Sequence, residues 1–247
     1  MDRDYDAYVL DPADDKWMDS LAVQLLESVE LESLEEVAGV LLSFVQYAIA
    51  YDWVEQLRLF EYPRYPLETL IEGKGDCEDT AILFASLARE LGIEVVLAAV
   101  STSHNGIADH MVVLVPHEYR DASAEVNSEC HYTRWIYEDR VYVVAETAVD
   151  PESEIASIPI GCDVFGLEED DFVLCWDVGK PDASPEVRRF EATAGLSVPC
   201  EKFRGRNTHS EGLQGAVSYY VPGIPPNFMM SLGESWYVLR CSARSVC

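Results

Sequence analysis

One cysteine in the sequence lies where a nucleophile could be activated. Cys77 occurs in the stretch GKGDCEDTAILFASLARELG, residues 73–92, at the start of an amphipathic segment that predicts a helix. Asp76 is a good N-cap, and Asp79 lies three residues beyond it, as in an approximate capping box. Cys77 is therefore expected at the first helical position, where free backbone N–H groups favour negative charge and can stabilise an oxyanion.

The acids beside Cys77 work against this chemistry. A thiolate is the nucleophilic form of cysteine, and an unperturbed thiol, with a pKa of about 8.5, is mostly protonated at neutral pH. Glu78 and Asp79 disfavour the thiolate further, so catalysis would need a histidine partner. The alternative is a buried or capping cysteine, which is the more frequent role of any single cysteine. The other six cysteines lack a comparable context and are interpreted as structural or incidental: Cys130, Cys162, Cys175, Cys200, Cys241 and Cys247.

His110 is the best candidate for that partner. It opens the apolar run HMVVLV directly after a loop, so it is expected at the edge of a sheet. His104, within the loop, is the competing histidine. His117 and His131 have the sequence context of surface residues.

A carboxylate is needed to orient the histidine, and two acids are candidates. Glu146 closes the mostly apolar run VYVVAET, where an acid requires an explanation, and Asp150 is the alternative. The order of the three groups favours catalysis: a cysteine at a helix start, a histidine at a strand start and an acid at a strand end.

The elements that would position these groups follow an α+β pattern. Two helices are predicted first, in residues 14–30 and 33–52, the second with Ser33 and Glu36 spaced as a capping box. Residues 61–75 contain two prolines and two glycines and predict an ordered loop before the Cys77 helix. The segments that follow predict strands, with a hairpin turn at Glu138 and Asp139: residues 93–100, 110–115 and 135–147. Helices followed by strands indicate α+β rather than alternating βαβ units.

The composition predicts a globular protein with an extreme acidic charge. The formal net charge is −28, with 17 basic and 45 acidic residues among 247. A cytosol rich in salt would explain this charge, because it screens the carboxylates. No basic patch is present, which argues against a nucleic-acid partner. The acidic N-terminus predicts no secretory signal, and the longest apolar run, Val37 to Tyr51, is too short to span a membrane. A cytoplasmic location without membrane association is expected.

The cysteine spacing predicts neither a disulfide scaffold nor a structural zinc site. Seven cysteines occur without framework spacing, and neither a CxxC nor an HxxxH pair is present. No calcium-binding loop pattern occurs either.

The composition changes near Pro185. Residues 1–185 carry 10 basic and 40 acidic residues, whereas residues 186–247 carry 7 and 5. The last part is either a different module or a sequence not shaped by selection, such as a shifted reading frame, and low order is expected there. The predicted division is an N-terminal helical region (1–36), a catalytic core (37–165) and a poorly defined extension (166–247).

The segment YPRYPLETLIEGKGDCEDTAILFASLARELGI, followed by DHMVVLV, resembles the transglutaminase-like superfamily. The resemblance covers roughly Val37 to Gly161 and is closest to the prokaryotic branch, including archaeal members. It implies a papain-type fold in which Cys77 is the nucleophile, His110 its base and Glu146 the acid that orients the histidine. Two features depart from the usual pattern: glutamate replaces the common aspartate, and a long polar excursion separates the histidine from the acid, about residues 116–134.

The resulting hypothesis is cysteine-dependent acyl transfer at an amide or peptide bond, without a metal or organic cofactor. A protein or peptide is the expected substrate, and hydrolysis is favoured over cross-linking because no sequence feature selects an amine acceptor. The backbone N–H of Cys77 would supply half of the oxyanion hole, with Trp53 and Gln46 as candidates for the second donor. Two alternatives remain: a catalytically silent binding module, and a metal site formed by Cys77 with His110 or His104.

Overall fold

The architecture comes from a computed structural model of the chain. It describes residues 4–27, 29, 33–53, 62–117, 133–137, 140–149 and 157–178, together with the backbone of 191–192, 228–232 and 235–239. Within these residues, helices and an antiparallel sheet form the α+β arrangement predicted from the sequence.

The helices precede most of the sheet. They are α1 (Asp6–Leu10), α2 (Pro12–Leu26), α3 (Leu34–Ala48), α4 (Pro66–Glu72) and α5 (Cys77–Glu90). The capping boxes predicted at the starts of α3 and α5 are both present. Helix α5 ends where Gly92 adopts a left-handed backbone with φ 74°, as expected for a terminating glycine.

The strands form one large sheet and two small pairs. The first four are β1 (Ala50–Tyr51), β2 (Lys74–Gly75), β3 (Val96–Val100) and β4 (His110–Pro116). The others are β5 (Arg134–Tyr137), β6 (Arg140–Ala145), β7 (Phe172–Asp177), β8 (Glu191–Ala192), β9 (Phe228–Leu232) and β10 (Ser235–Leu239). The large sheet has the order β7-β3-β4-β6-β5-β8 with antiparallel pairing; β1 pairs with β2 in parallel, and β9 with β10 antiparallel.

Both faces of the central strands are buried. Alternate residues of β3 belong to different clusters: Leu97 packs with the helices, whereas Val96 and Ala98 pack with Trp135 and Phe172 on the other face. This double burial explains the nearly continuous apolar sequence of β3. Helix α5 is buried throughout residues 78–88, so the segment carrying Cys77 is held from several sides.

Three local predictions differ from the structure: the loop in residues 61–75, the end of helix α2, and the end of the helix predicted over 33–52, which closes at Ala48 before β1. Residues 61–75 were predicted as a loop but contain α4, since Pro66 suits the first helical turn and the Glu68 carboxylate accepts the Tyr65 N–H at 3.0 Å. The helix ends at Gly73, whose φ is 64°. Helix α2 ends at Leu26, so Val29 does not extend its apolar face.

The hairpin predicted in residues 135–147 is present as the pair β5–β6, while its turn residues Glu138 and Asp139 lie outside the described residues. Strand β7, beyond residue 165, pairs with β3 in the large sheet. The low order predicted for the C-terminal part concerns residues that mostly lie outside the described ranges, and the domain boundaries stay a prediction.

Candidate active site

Cys77 begins helix α5, where the cap is formed by side chains on both sides of it. The Asp76 carboxylate accepts the Asp79 N–H at 3.4 Å, and the Thr80 N–H donates to the Asp76 carbonyl at 3.1 Å. These bonds engage donors of the first turn beyond Cys77 and hold the backbone around its sulfur.

A buried ion-pair network braces this helix start. The Arg64 guanidinium pairs with the carboxylates of Asp79 and Asp52, the latter at 3.1 Å, and the Arg64 N–H also donates to Asp79 at 2.7 Å. Arg64 and Asp79 are 5% and 0% exposed, so neither charge would be stable there without the other. Glycine is required at position 75, because a Cβ there would lie 2.6 Å from the Asp79 Cβ.

The network contains more carboxylate than cationic charge. Burial raises the pKa of Asp79, and the nearby Asp76 raises it further, while Arg64 lowers it; the result is a pKa of about 7. Asp79 therefore changes its charge near neutral pH within this buried ion-pair network.

His110 opens strand β4 and pairs with Glu146, as the sequence order suggested. The imidazole Nε2 lies 2.8 Å from the Glu146 Oε2, and the two side chains are 14% and 1% exposed. Burial alone lowers the pKa of His110, but the charge and hydrogen bond of Glu146 outweigh it, so the pKa is raised. The pair therefore favours an imidazolium held by a carboxylate.

Buried polar contacts fix Glu146 in place. The Ala148 N–H donates to its second carboxylate oxygen, Oε1, at 2.8 Å. The Gln46 amide nitrogen donates to the carbonyls of Glu146 and Ile158, at 2.7 and 2.9 Å. Both N–H groups of Gln46 are thus engaged by backbone carbonyls, which places this residue as a clamp for the acid instead of an oxyanion donor.

A hydroxyl pair connects the nucleophile's helix to the acid's strand. Thr80 Oγ1 lies 3.0 Å from Thr147 Oγ1 and also donates to the Asp76 carbonyl at 2.9 Å. Because Thr147 follows Glu146 directly, this contact sets the distance between the start of α5 and the end of β6.

The Cys77 thiol itself is paired with its neighbour. Its Sγ lies 3.3 Å from the Glu78 Oε2, and Glu78 is 8% exposed. Burial raises the pKa of the thiol well above its usual range, and Glu78 and Asp76 raise it further, against a backbone hydrogen bond from Met111. Within the described residues, no hydrogen bond joins this thiol to His110, so the thiol is in its protonated form in this arrangement.

Tyr51 enters the site from a strand that the sequence did not single out. Parallel pairing sets Tyr51 opposite Gly75, and the Asp52 N–H donates to the Gly75 carbonyl at 2.9 Å. Burial raises the pKa of Tyr51, and the charges of Cys77 and Glu78 add to this effect, so its phenol stays protonated. Little in the sequence indicated this role of Tyr51, because the strand pairing joins segments more than twenty residues apart.

Phe165 covers the other side of the histidine. Its ring lies edge-on to the His110 imidazole with 4.9 Å between centroids. The Asp163 carboxylate holds this turn by accepting the N–H groups of Phe165, Gly166 and Leu167 at 2.7–3.0 Å. A run of Asp, Phe and Gly in sequence carries no sign of this contact.

The competing residues lie elsewhere or outside the described ranges. His104 places Nδ1 2.6 Å from Asp171 Oδ2. His117, predicted at the surface, has an 8% exposed side chain with Nδ1 3.2 Å from Glu35 Oε2, so that prediction was wrong. Trp53 is 51% exposed and packs on Tyr51 at 4.5 Å. His131 and Asp150 lie outside the described residues.

The described residues contain no cluster of three or more His, Cys, Asp or Glu side chains arranged to hold a metal ion. His104 and His110 bind different carboxylates, Asp171 and Glu146. Among the helices of the described part, none combines the length and apolar character needed to cross a bilayer.

Comparison with known families identifies the core. Residues 21–140 match the family model of the transglutaminase-like superfamily, a stretch that contains Cys77 and His110 and ends before Glu146. No curated protein sequence matches the chain. This part of the chain is thus a transglutaminase-like core, which confirms the resemblance seen in the sequence, and members of that superfamily are generally cysteine-based acyl-transfer enzymes.

Proposed function

We propose that this transglutaminase-like core catalyses acyl transfer at an amide or peptide bond, with hydrolysis as the reaction. Cys77 is the nucleophile, His110 the general base and acid, and Glu146 the residue that orients the imidazole. The single observation that carries the proposal is the His110–Glu146 pair, buried at 2.8 Å beside the helix start that bears Cys77.

The first half of the reaction forms an acyl-enzyme. The thiol proton passes from Cys77 Sγ to the Nδ1 of a neutral His110, while Nε2–H remains bonded to Glu146. The sulfur electron pair then attacks the carbonyl carbon, and the carbonyl π electrons move onto oxygen. The free N–H of the first turn at Cys77 stabilises that oxyanion, and His110 returns the proton to the leaving amine.

Two groups are candidates for the second oxyanion donor. Trp53 was considered from the sequence, and Tyr51 is added because it pairs with Gly75, two residues before Cys77, and the charge of Cys77 raises its pKa. Tyr51 is the stronger candidate, because burial and then the negative charges around it raise the pKa of its hydroxyl, which stays protonated and able to donate.

The second half returns the free enzyme. Water, activated by the neutral imidazole, attacks the thioester carbon, and the thiolate leaves and recovers a proton from His110. Water is the default acceptor, and the candidate site has no described feature that selects an amine. A protein or peptide amide is the proposed substrate, and no cofactor is needed for these steps.

Trapping of the acyl-enzyme tests this proposal. The protein is incubated with glutamine-containing peptides and with a simple peptide thioester, quenched in acid, and digested for mass spectrometry. The expected result is acylation confined to Cys77, with the buried Cys175 as the internal control. The Glu94→Gln variant, changed at an exposed residue paired with Arg140, should behave like the wild type.

Two results would overturn the assignment: no acyl adduct on Cys77 from any donor, or adduct formation that His110→Ala leaves unchanged. A second candidate function, a silent binding module, is favoured by one observation, the thiol hydrogen bond to Glu78. Peptides that bind wild type and Cys77→Ala equally, with no acylation of the wild type, would support that alternative. Stoichiometric zinc in the purified protein would instead favour a metal site.

A further inference from the structure

Glu78 is a buried carboxylate that touches the proposed nucleophile but has no part in the reaction steps above. Its Oε2 accepts a hydrogen bond from the Cys77 thiol at 3.3 Å, and only 8% of the residue is exposed. A buried carboxylate bonded to a thiol competes directly with any other base for the thiol's orientation and proton.

The position of Glu78 also relates it to the histidine. Burial lowers the pKa of His110, and the charges of Glu146, Asp109 and Glu78, in that order, raise it. Glu78 therefore lies near both members of the proposed catalytic pair, with its hydrogen bond on the sulfur side.

We propose that Glu78 is a positioning residue, which holds the Cys77 thiol in a protonated resting arrangement and so sets the pH at which the nucleophile forms. This inference rests on the proposed function of Cys77 and His110. Glu78 opposes formation of the Cys77 thiolate, whereas the proposed triad favours it.

The surrounding charges act in the same direction. Glu78 and Asp76 raise the pKa of the thiol from its own helix end, and the charges of Cys77 and Glu78 reach Tyr51 on β1. On β4, the charge of Glu78 raises the pKa of His110 together with those of Glu146, at the end of β6, and Asp109. A thiolate beside Glu78 and Asp76 is repelled by both, and in the proposed mechanism the protonated His110 supplies the compensating positive charge.

The protonation states of Cys77 and His110 explain why Glu78 sets the pH at which the thiolate forms. At low pH the thiol is held by Glu78 and His110 is an imidazolium, so no base is free. As the pH rises, one proton leaves the Cys77–His110 pair; the sulfur then turns from Glu78, gives its proton to Nδ1 and keeps its electron pair. The hydrogen bond to Glu78 must therefore break before the Cys77–His110 ion pair forms.

The test is the pH profile of Cys77 alkylation by iodoacetamide in the full chain. The variant Glu78→Gln keeps the shape of the side chain and removes its charge, and Glu94→Gln is the matched control at an exposed site. We expect the midpoint for Glu78→Gln to fall by about one pH unit, which corresponds to alkylation about tenfold faster below the midpoint. Glu94→Gln should superimpose on the wild type.

A midpoint for Glu78→Gln that coincides with the wild type, or lies at higher pH, would overturn the proposal. The wild type alone provides a second test, through the thiolate absorbance difference between wild type and Cys77→Ser. Its midpoint should lie above that of an ordinary cysteine, and a midpoint below neutral pH would also refute the proposed role of Glu78.

These outcomes separate the inference from the proposed function. A shifted profile in Glu78→Gln without any acyl adduct would support the role of Glu78 and reject the acyl-transfer proposal. Acylation of Cys77 with an unshifted profile would do the reverse.

Discussion

Two histidines six residues apart, His104 and His110, each pair with a carboxylate. The distances between imidazole nitrogen and carboxylate oxygen are similar, but the surroundings of the two pairs differ. His110 and Glu146 are 2.8 Å apart, and His104 and Asp171 are 2.6 Å apart. By that measure alone, either pair could be the base and orienting acid of a cysteine enzyme.

Their surroundings distinguish the two pairs. The side chain of His104 is 48% exposed and sits on a loop, with a left-handed backbone at φ 52°. The side chain of His110 is 14% exposed, begins a central strand and lies against Phe165. Its neighbour Met111 donates a backbone hydrogen bond to Cys77, which ties the buried pair to the candidate nucleophile.

A hydrogen bond to a carboxylate therefore does not by itself identify a histidine as a catalytic base. Solvent screens the half-exposed His104, although its partner Asp171 is buried, whereas both side chains of the His110–Glu146 pair lie in a region where charges interact strongly.

Removal of each imidazole should produce the largest difference in acylation rate between the two pairs. We expect His110→Ala to lower the rate of Cys77 acylation by about 10²–10⁴-fold, the usual contribution of a general base. His104→Ala should change it by less than about threefold. Acylation rates measured by mass spectrometry for both variants check this prediction, and equal losses in the two variants would remove the distinction between the pairs.

The buried ion-pair network of Arg64, Asp52 and Asp79 should make the free energy of unfolding depend on pH in an unusual direction. The pKa of Asp79 is about 7 in the folded chain against an unperturbed 3.8, so between these values the folded state holds more protons than the unfolded state. Its contribution is therefore complete below about pH 4 and is lost as the pH rises through about 7. We expect the free energy of unfolding to fall by about 2–4 kcal/mol over this interval.

Denaturant titrations at several pH values, at constant salt, measure that slope. Asp79→Asn should flatten it, because asparagine resembles the protonated acid and Arg64 keeps Asp52 as a partner. The control Asp15→Asn changes a carboxylate paired with Arg89, outside this network. A slope that survives in Asp79→Asn would show that Asp79 does not titrate as described.

Substitution of the acids should separate the pairs again, by a smaller factor. Glu146→Gln keeps an oxygen that accepts the Nε2–H but removes the charge that stabilises the imidazolium, so acylation should slow by about 10–100-fold. Asp171→Asn should stay within about threefold of the wild type. Comparable losses from Glu146→Gln and Asp171→Asn in the same assay would argue against Glu146 as the orienting acid.

Phe165, which packs against His110 of the buried pair, should have the smallest effect of these residues. Phe165→Leu removes the edge-on ring contact, and we expect a loss of about 1 kcal/mol in the free energy of unfolding. Acylation should slow by less than about fivefold. A loss comparable to that of His110→Ala would mean that Phe165 has a role in the chemistry beyond packing.

Much of the candidate site was predictable because its signals are local. The cap at Asp76, the helix start at Cys77 and the strand start at His110 each depend on a few neighbouring residues. Glu146 could be proposed because an acid at the end of an apolar strand requires a partner, and the structure supplies one in His110.

The remaining contributors depend on contacts between distant segments. Gln46 reaches Glu146 and Ile158 across about a hundred residues, and Tyr51 reaches the site only through the pairing of β1 with β2. No periodicity or motif encodes such contacts. Helix α4 was missed for another reason, since prolines and glycines signal loops even where they serve as the ends of a helix.

The salt-rich source, the cytoplasmic location and the prokaryotic affinity stay predictions from composition and resemblance. They bear on how the experiments are run, since a net charge of −28 calls for measurements at matched high salt.

The most direct test of the central claim is the rate of Cys77 alkylation in three proteins: wild type, His110→Ala and His104→Ala. Each is followed from about pH 5 to about pH 10 by mass spectrometry, with Cys175 as the internal reference thiol. We expect His110→Ala to move the midpoint of Cys77 alkylation to still higher pH and to slow alkylation below it, because no imidazolium then compensates the thiolate, while His104→Ala follows the wild-type profile. Identical profiles for wild type and His110→Ala would contradict this expectation, because Cys77 would then ionise without the imidazole that the proposed mechanism requires.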